Sequence, residues 1–111
     1  MDLIEQYREI IHEILQQHAS IPYSYGKIDS EVIVSQDRNN YLLMCEGWDD
    51  DLRIHGCVVH VKIIGGKIWI QRDGIEEGIT PELVAAGIPK DKIVLAFHPP
   101  QVRQYTGYAL A

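Results

Sequence analysis

The chain has 111 residues and a net charge of −6, with no low-complexity tract. That length suits a single domain able to bury roughly two-thirds of the surface its unfolded chain exposes. Its apolar runs stop far short of the ~20 residues that cross a bilayer, and the amphipathic, acidic start "MDLIEQYREI" is read as neither secretory signal nor basic transit peptide.

Charge also bears on partners. Residues 1–50 carry three basic side chains against ten acidic, and residues 51–111 seven against six. Duplex DNA is bound through lysines and arginines that displace condensed counterions. With no basic cluster in the sequence, direct DNA binding is disfavoured. Cys45 and Cys57 lie inside strand-like runs without a C-x-x-C spacing, so they read as thiols of a cytoplasmic protein, not a disulfide pair.

In chain order, residues 2–18 form the first predicted element, a helix capped by Asp2. Leu3, Ile4, Tyr7, Ile10, Ile11, Ile14, Leu15 and His18 make one stripe at three- and four-residue spacing. Pro22 ends it, and "SIPYSYGKIDS" reads as a loop. Strands are predicted over 31–36, 41–48, 53–64 and 67–73, joined by short turns that favour an antiparallel meander. The second, "YLLMCEGW", is apolar on both faces near its middle and is placed centrally. Beyond Gly74 come a short helix in "TPELVAAG", with Thr80 as cap and Pro81 in its first position, and a strand over 93–97. A further short helix is expected after Pro99-Pro100. The fold class is α+β: an antiparallel meander of four to five strands with an N-terminal amphipathic helix and short C-terminal helices, one domain over 1–111.

The hairpin "KIIGGKIWIQRDG" poses the functional question. A two-residue turn at Gly65-Gly66 pairs Ile63 with Ile68, Lys62 with Trp69, Val61 with Ile70 and His60 with Gln71. One face then gathers Cys57, Val59, Val61, Ile63, Ile68 and Ile70, a core. The other gathers His60, Lys62, Trp69 and Gln71. An indole on a polar face needs a cover. Its pairing with the Lys62 ammonium is worth only about 0.5–1 kcal/mol, less than the ~1.5–3 kcal/mol of burying a large apolar side chain. Three covers satisfy this: a helix of the same chain, another protein, since tryptophan among polar groups typifies interface hot spots, or a stacked nucleic-acid base, which would want arginines and further aromatics that are missing beside it. The proposed partner surface is Trp69, Lys62, Gln71, His60 and Arg72, with Glu76 and Glu77 beside it.

Catalytic and metal chemistry find less support. His55, Cys57 and His60 are residue types zinc takes, but strict alternation sends His60 to the opposite face. Asp49, Asp50 and Asp51 read as a solvated turn. Phosphate-loop, dinucleotide, nucleophile-elbow and zinc-protease motifs are absent. His98 and Arg103, with the aromatic loop Tyr23/Tyr25, form an alternative small ligand-binding or enzymatic site. No cofactor is implied, and the expectation is that the chain is not an enzyme.

The segments "GW" (47–48), "HGCVVH" (55–60), "GKIWIQ" (66–71), "DG" (73–74), "ELVAAGIP" (82–89) and "IVLAFH" (93–98) run in an order that resembles the XisI family, the fdxN-element excision controlling factors of cyanobacteria. The resemblance covers nearly the whole chain. It departs at Ile75, where threonine is common, and at Ala96, where glycine is. What it implies is a role in programmed DNA rearrangement during heterocyst differentiation. The partner would be a companion called XisH, and a separate site-specific recombinase would perform the excision. It transfers no catalytic residues. Self-association is left open.

Overall fold

The structure, a computed structural model, describes residues 2–111. Helix α1 spans Leu3–Ala19, and the Asp2 side chain accepts the Glu5 N–H at 2.9 Å, as a capping residue should. Four strands follow: β1 (Lys27–Val34), β2 (Asn40–Asp49), β3 (Leu52–Ile64) and β4 (Lys67–Asp73). Helix α2 (Thr80–Ala85), a single 3-10 turn (Lys90–Lys92), β5 (Ile93–Leu95) and helix α3 (Pro100–Arg103) complete the chain. The predicted α+β class holds.

The sheet runs β1-β2-β3-β4-β5. The first four strands form the antiparallel meander, whereas β5 lies parallel to β4, with Ile68, Trp69 and Ile70 beside Ile93, Val94 and Leu95. Parallel pairing requires a crossover, and α2 with its flanking loops supplies it. Gly65 and Gly66, both at positive φ (57° and 79°), make the two-residue hairpin turn.

All the long helical surface lies on one side of the sheet. Tyr7, Ile11, Ile14 and Leu15 of α1 and Leu83 of α2 pack with Ile79 and Ile88 against Tyr41, Leu43, Val59, Val61, Ile63, Ile68, Ile70, Ile93 and Leu95. A helix layer on one sheet face is a common solution to burying two apolar surfaces. No helix among the described residues is long and apolar enough to cross a membrane.

Three details differ from the sequence reading. Strand β1 begins at Lys27, inside the segment read as a loop, because Gly26 turns at φ 65° and delivers Lys27 opposite Trp48. Helix α2 is capped at Ile79, not Thr80, and Thr80 is buried. Two bulges interrupt the alternation. Val58 is an extra residue on β3, since Leu43 pairs with Val59 but Met44 with Cys57. Gln71 is extra on β4, since Val61 pairs with Ile70 but His60 with Arg72. Each bulge displaces the residues beyond it to the other face.

The "GW" pair has a packing reason. A Cβ on Gly47 would stand 2.0 Å from the Lys27 carbonyl oxygen, so only glycine lets β1 approach there. Gly56 has nothing within 4 Å of its Cβ position. Gly47→Ala is therefore expected to destabilise the fold by more than about 2 kcal/mol. Gly56→Ala should stay within roughly 1 kcal/mol of the parent. Urea unfolding of the two variants beside the parent checks the contrast.

Candidate protein-docking face

With α1 and α2 on one side, the other face of the sheet is defined by the strand register. Ile33 stands beside Leu42, Leu42 beside His60, and His60 beside Arg72. In the neighbouring row Glu31, Met44 and Cys57 line up, and Asp29, Glu46 and His55 lie beyond them. On the hairpin side Asn40, Lys62, Trp69 and Val94 form another row. None of these residues belongs to the buried cluster under the helices.

The structure brings together Trp69, Lys62, His60 and Arg72, four of the seven proposed partner-surface residues. Gln71 does not join them as predicted. It is the bulged residue, and Arg72 takes its place opposite His60. Glu76 and Glu77 are exposed but do not join this face. They line a cavity with His18, Pro81 and Glu82, on the helix side of the sheet. The cause is Asp73, whose carboxylate accepts the N–H groups of Ile75 (3.2 Å) and Ile79 (2.9 Å) and turns the chain toward the helix layer.

Trp69 is half-buried, neither sealed under a helix nor fully open. The cation on its ring is Arg103, whose guanidinium carbon lies 5.5 Å from the ring centroid. Arg103 is held there by its own backbone contacts. It donates to the carbonyls of His98 (3.1 Å), Ala96 (3.4 Å) and Leu110 (3.4 Å). The C-terminal segment also bridges β5 through Val94 and Ala109, and Val94 is fully buried. One side of the indole is thus covered from within the chain. Further along the face Ile33 keeps 44% of its surface exposed, and Leu42 and Met44 are half-buried.

His60 Nε2 lies 2.9 Å from Asn40 Oδ1. Burial, and then the Lys62 ammonium, hold its pKa below the ordinary histidine value. Burial pushes the Cys57 thiol up, and its sulfur donates to the Val59 carbonyl at 3.2 Å. A thiol kept protonated is a poor nucleophile at neutral pH. Cys57 itself was expected in the core. The Val58 bulge instead moves it to the open face, and leaves Cys45 as the buried cysteine.

The same bulge corrects the geometry argued against zinc, since His55, Cys57 and His60 share one face after all. Even so, no group of three or more histidine, cysteine or acidic side chains among the described residues is placed to hold a metal ion. In Asp49-Asp50-Asp51, Asp49 ends β2 and the exposed Asp50 and Asp51 form the turn, with Asp50 at φ 53°.

The alternative site is not assembled. Arg103 is spent on backbone carbonyls at the β5 edge, and the His98 ring rests against Phe97 with centroids 4.6 Å apart. Tyr23 sits at the other edge of the sheet, lining a cavity of about 260 Å³ with His18, Ser30, Leu43 and Val58. Its pKa is raised, first by burial and then by its hydrogen bond with Cys45.

Sequence reasoning missed Arg103 as the indole's cover. No local pattern links it to a residue 34 positions earlier. The apolar seam of Leu42 and Met44 was foreshadowed by a strand apolar on both faces.

A family model described as XisI protein matches residues 1–110 of the chain. Among solved structures, a XisI-like protein from Anabaena variabilis ATCC 29413 is similar, with a TM-score of 0.87 and 36% identity over 99% of this chain and 100% of its own. The fdxN element excision controlling factor XisI from the same strain gives a TM-score of 0.83 at 34% identity, again over 99% and 100% of the two chains. No curated protein matches.

The His60 environment yields a test. Its imidazole should titrate below about 6.5 by NMR. Lys62→Gln should move that midpoint part of the way back up, because one of its two causes is removed. A folded pKa below the unfolded one means that His60 contributes stability above the unfolded value and loses it as pH falls through the folded one. His60→Gln should accordingly flatten the acid side of the stability profile between pH 7 and 5.

Proposed function

The chain belongs to the XisI family, and on that premise we propose that it is an accessory factor controlling site-specific DNA excision by contact with another protein. It carries out no catalysis of its own. It acts in the cytoplasm beside an XisH-like companion, and a separate recombinase breaks and rejoins the DNA. Its excision role is inferred from the solved relative described as an fdxN element excision controlling factor. In this reading the setting is heterocyst differentiation in cyanobacteria.

The observation that carries the contact mechanism is the sheet face that α1 and α2 leave open. Ile33, Leu42, Met44 and Trp69 give it an apolar seam, and His60, Lys62, Arg72 and Arg103 a polar border. A half-covered indole with adjoining aliphatic groups and arginine is the composition of interface hot spots. The side chains that could do chemistry are engaged otherwise: Cys57 is protonated, Arg103 bonds backbone carbonyls, and the acidic turn is solvated.

One observation favours a second reading, an adaptor that touches DNA directly. Lys62 stands beside Trp69 and Arg103 over it, with Arg72 further along the face, and cations beside an aromatic platform suit nucleic acid. A mobility-shift assay at two salt concentrations separates the readings, since phosphate contacts weaken steeply with salt. Little binding at either concentration is expected.

Trp69→Ala should weaken the complex with the companion by about 2 kcal/mol, a typical hot-spot loss, while far-UV circular dichroism stays that of the parent. Normal capture of the companion by a folded Trp69→Ala variant would remove this face from the mechanism.

A further inference from the structure

We propose that in the free protein the open face is covered by the open face of a second copy of the same chain, about a two-fold axis lying in the plane of contact. This rests on the reading of that face as a protein-docking surface, and it names the first occupant.

The argument is one of charge placement. On this face β1 and β2 present Asp29, Glu31 and Glu46, with Lys27 as the one cation. Strands β3 and β4 present Arg53, Lys62, Lys67 and Arg72 and no carboxylate, and Arg103 adds a fifth positive charge over Trp69. Arg53 and Glu46 pair with each other at 3.7 Å within the chain. The remaining charges still divide this surface of a chain of net charge −6 into an acidic half with Asp29 and Glu31 and a basic half with Lys62, Lys67, Arg72 and Arg103. Leu42 and Met44 lie on β2 next to the basic half, with Cys57 beside Met44, and Ile33 lies beside Leu42 on the β1 edge.

An isologous contact joins a patch to itself, so the patch must be self-complementary. Of the in-plane axes, one running across the strands would lay β1 on β1 and set carboxylates against carboxylates. An axis running along the strands, between β2 and β3, lays β1 of one copy over β4 of the other. It brings Glu31 toward Arg72 of the second copy, and sets Leu42 and Met44 beside the axis.

Two sheets packed face to face at ~10 Å, with strands within about 30° of one another, are a standard arrangement. Four strands at ~4.8 Å spacing by some five side-chain rows give roughly 600 Å² in plan. With side-chain relief that approaches the ~800 Å² per partner of an ordinary stable interface. The companion would then compete with the second copy for the seam, so pairing would hold the factor in reserve.

Sedimentation velocity over a wide concentration range tests this. The parent chain should dimerise, with a dissociation constant that rises at least tenfold between low and high salt. Leu42→Arg should give a folded monomer. Should that variant fail to fold, the surface charges carry the test. Arg72→Glu should raise the dissociation constant at least tenfold, and Arg72→Glu combined with Glu31→Arg should restore it.

A parent chain that stays monomeric at ~100 μM overturns the inference, as does a folded Leu42→Arg variant that still dimerises or a double variant that does not recover. A monomeric parent whose capture of the companion is lost in Trp69→Ala would refute pairing and leave the proposed function standing. A dimer whose companion binding ignores Trp69→Ala would support pairing and refute the proposed contact.

Discussion

The Val58 bulge is the constraint from which the two faces of the sheet take their characters. The Val58 carbonyl accepts the Gly74 N–H at 2.7 Å, tying the middle of β3 to the point where the chain leaves β4. A Cβ on Gly74 would come within 2.8 Å of that same oxygen, so the close approach depends on glycine. Because the bulge adds one residue to β3 and none to β2, Val59 stays under the helices while Cys57 and His55 are carried to the open side. A regular strand would have set the Cys57 thiol in the core and His60 opposite His55.

Packing then separates the two sides. Beneath α1 and α2 the side chains are aliphatic almost throughout, and the residues most deeply buried are there. Each such side chain removed from water stabilises the fold by about 1.5–3 kcal/mol, so the helix layer accounts for a large share of its stability. The open side has a different logic. Antiparallel sheets commonly face water on one side, and a wholly polar outer face would serve stability as well. Here it carries methionine, leucine, isoleucine and tryptophan. Apolar groups at the centre of a polar border add little to folding while they face water, and they gain when a second surface removes them from it. The argument from fold to function passes through that difference.

The long elements were legible from the sequence because their signals are local. The Leu3–Ala19 stripe, the cap at Asp2, the Gly65-Gly66 turn and the register from Ile64–Lys67 to Val61–Ile70 all follow from spacing and backbone preference. The register failed beyond Val61, where Gln71 is the extra residue on β4 and no side chain marks it in the sequence. The parallel β5 was visible as a strand but not in its direction, which depends on how the crossover through α2 packs. The site was half legible for the same reasons. His60, Lys62 and Trp69 share a face by local alternation. Arg72 arrives through a bulge, and Glu76 and Glu77 depart through the turn that Asp73 organises.

Arg103 shows how the C-terminal segment connects to the site without forming one. Its three carbonyl contacts fix the chain after β5, and its guanidinium then stands over Trp69 at no further cost in side-chain freedom. Pre-ordering of this kind lowers the entropy lost when a partner arrives. The indole is thus covered on one side by the last residue of α3 and not by the long helix α1. Loosening the C-terminal segment would therefore reach the docking face directly, through Arg103 over Trp69 and through Lys67, which donates to the Ala111 carbonyl.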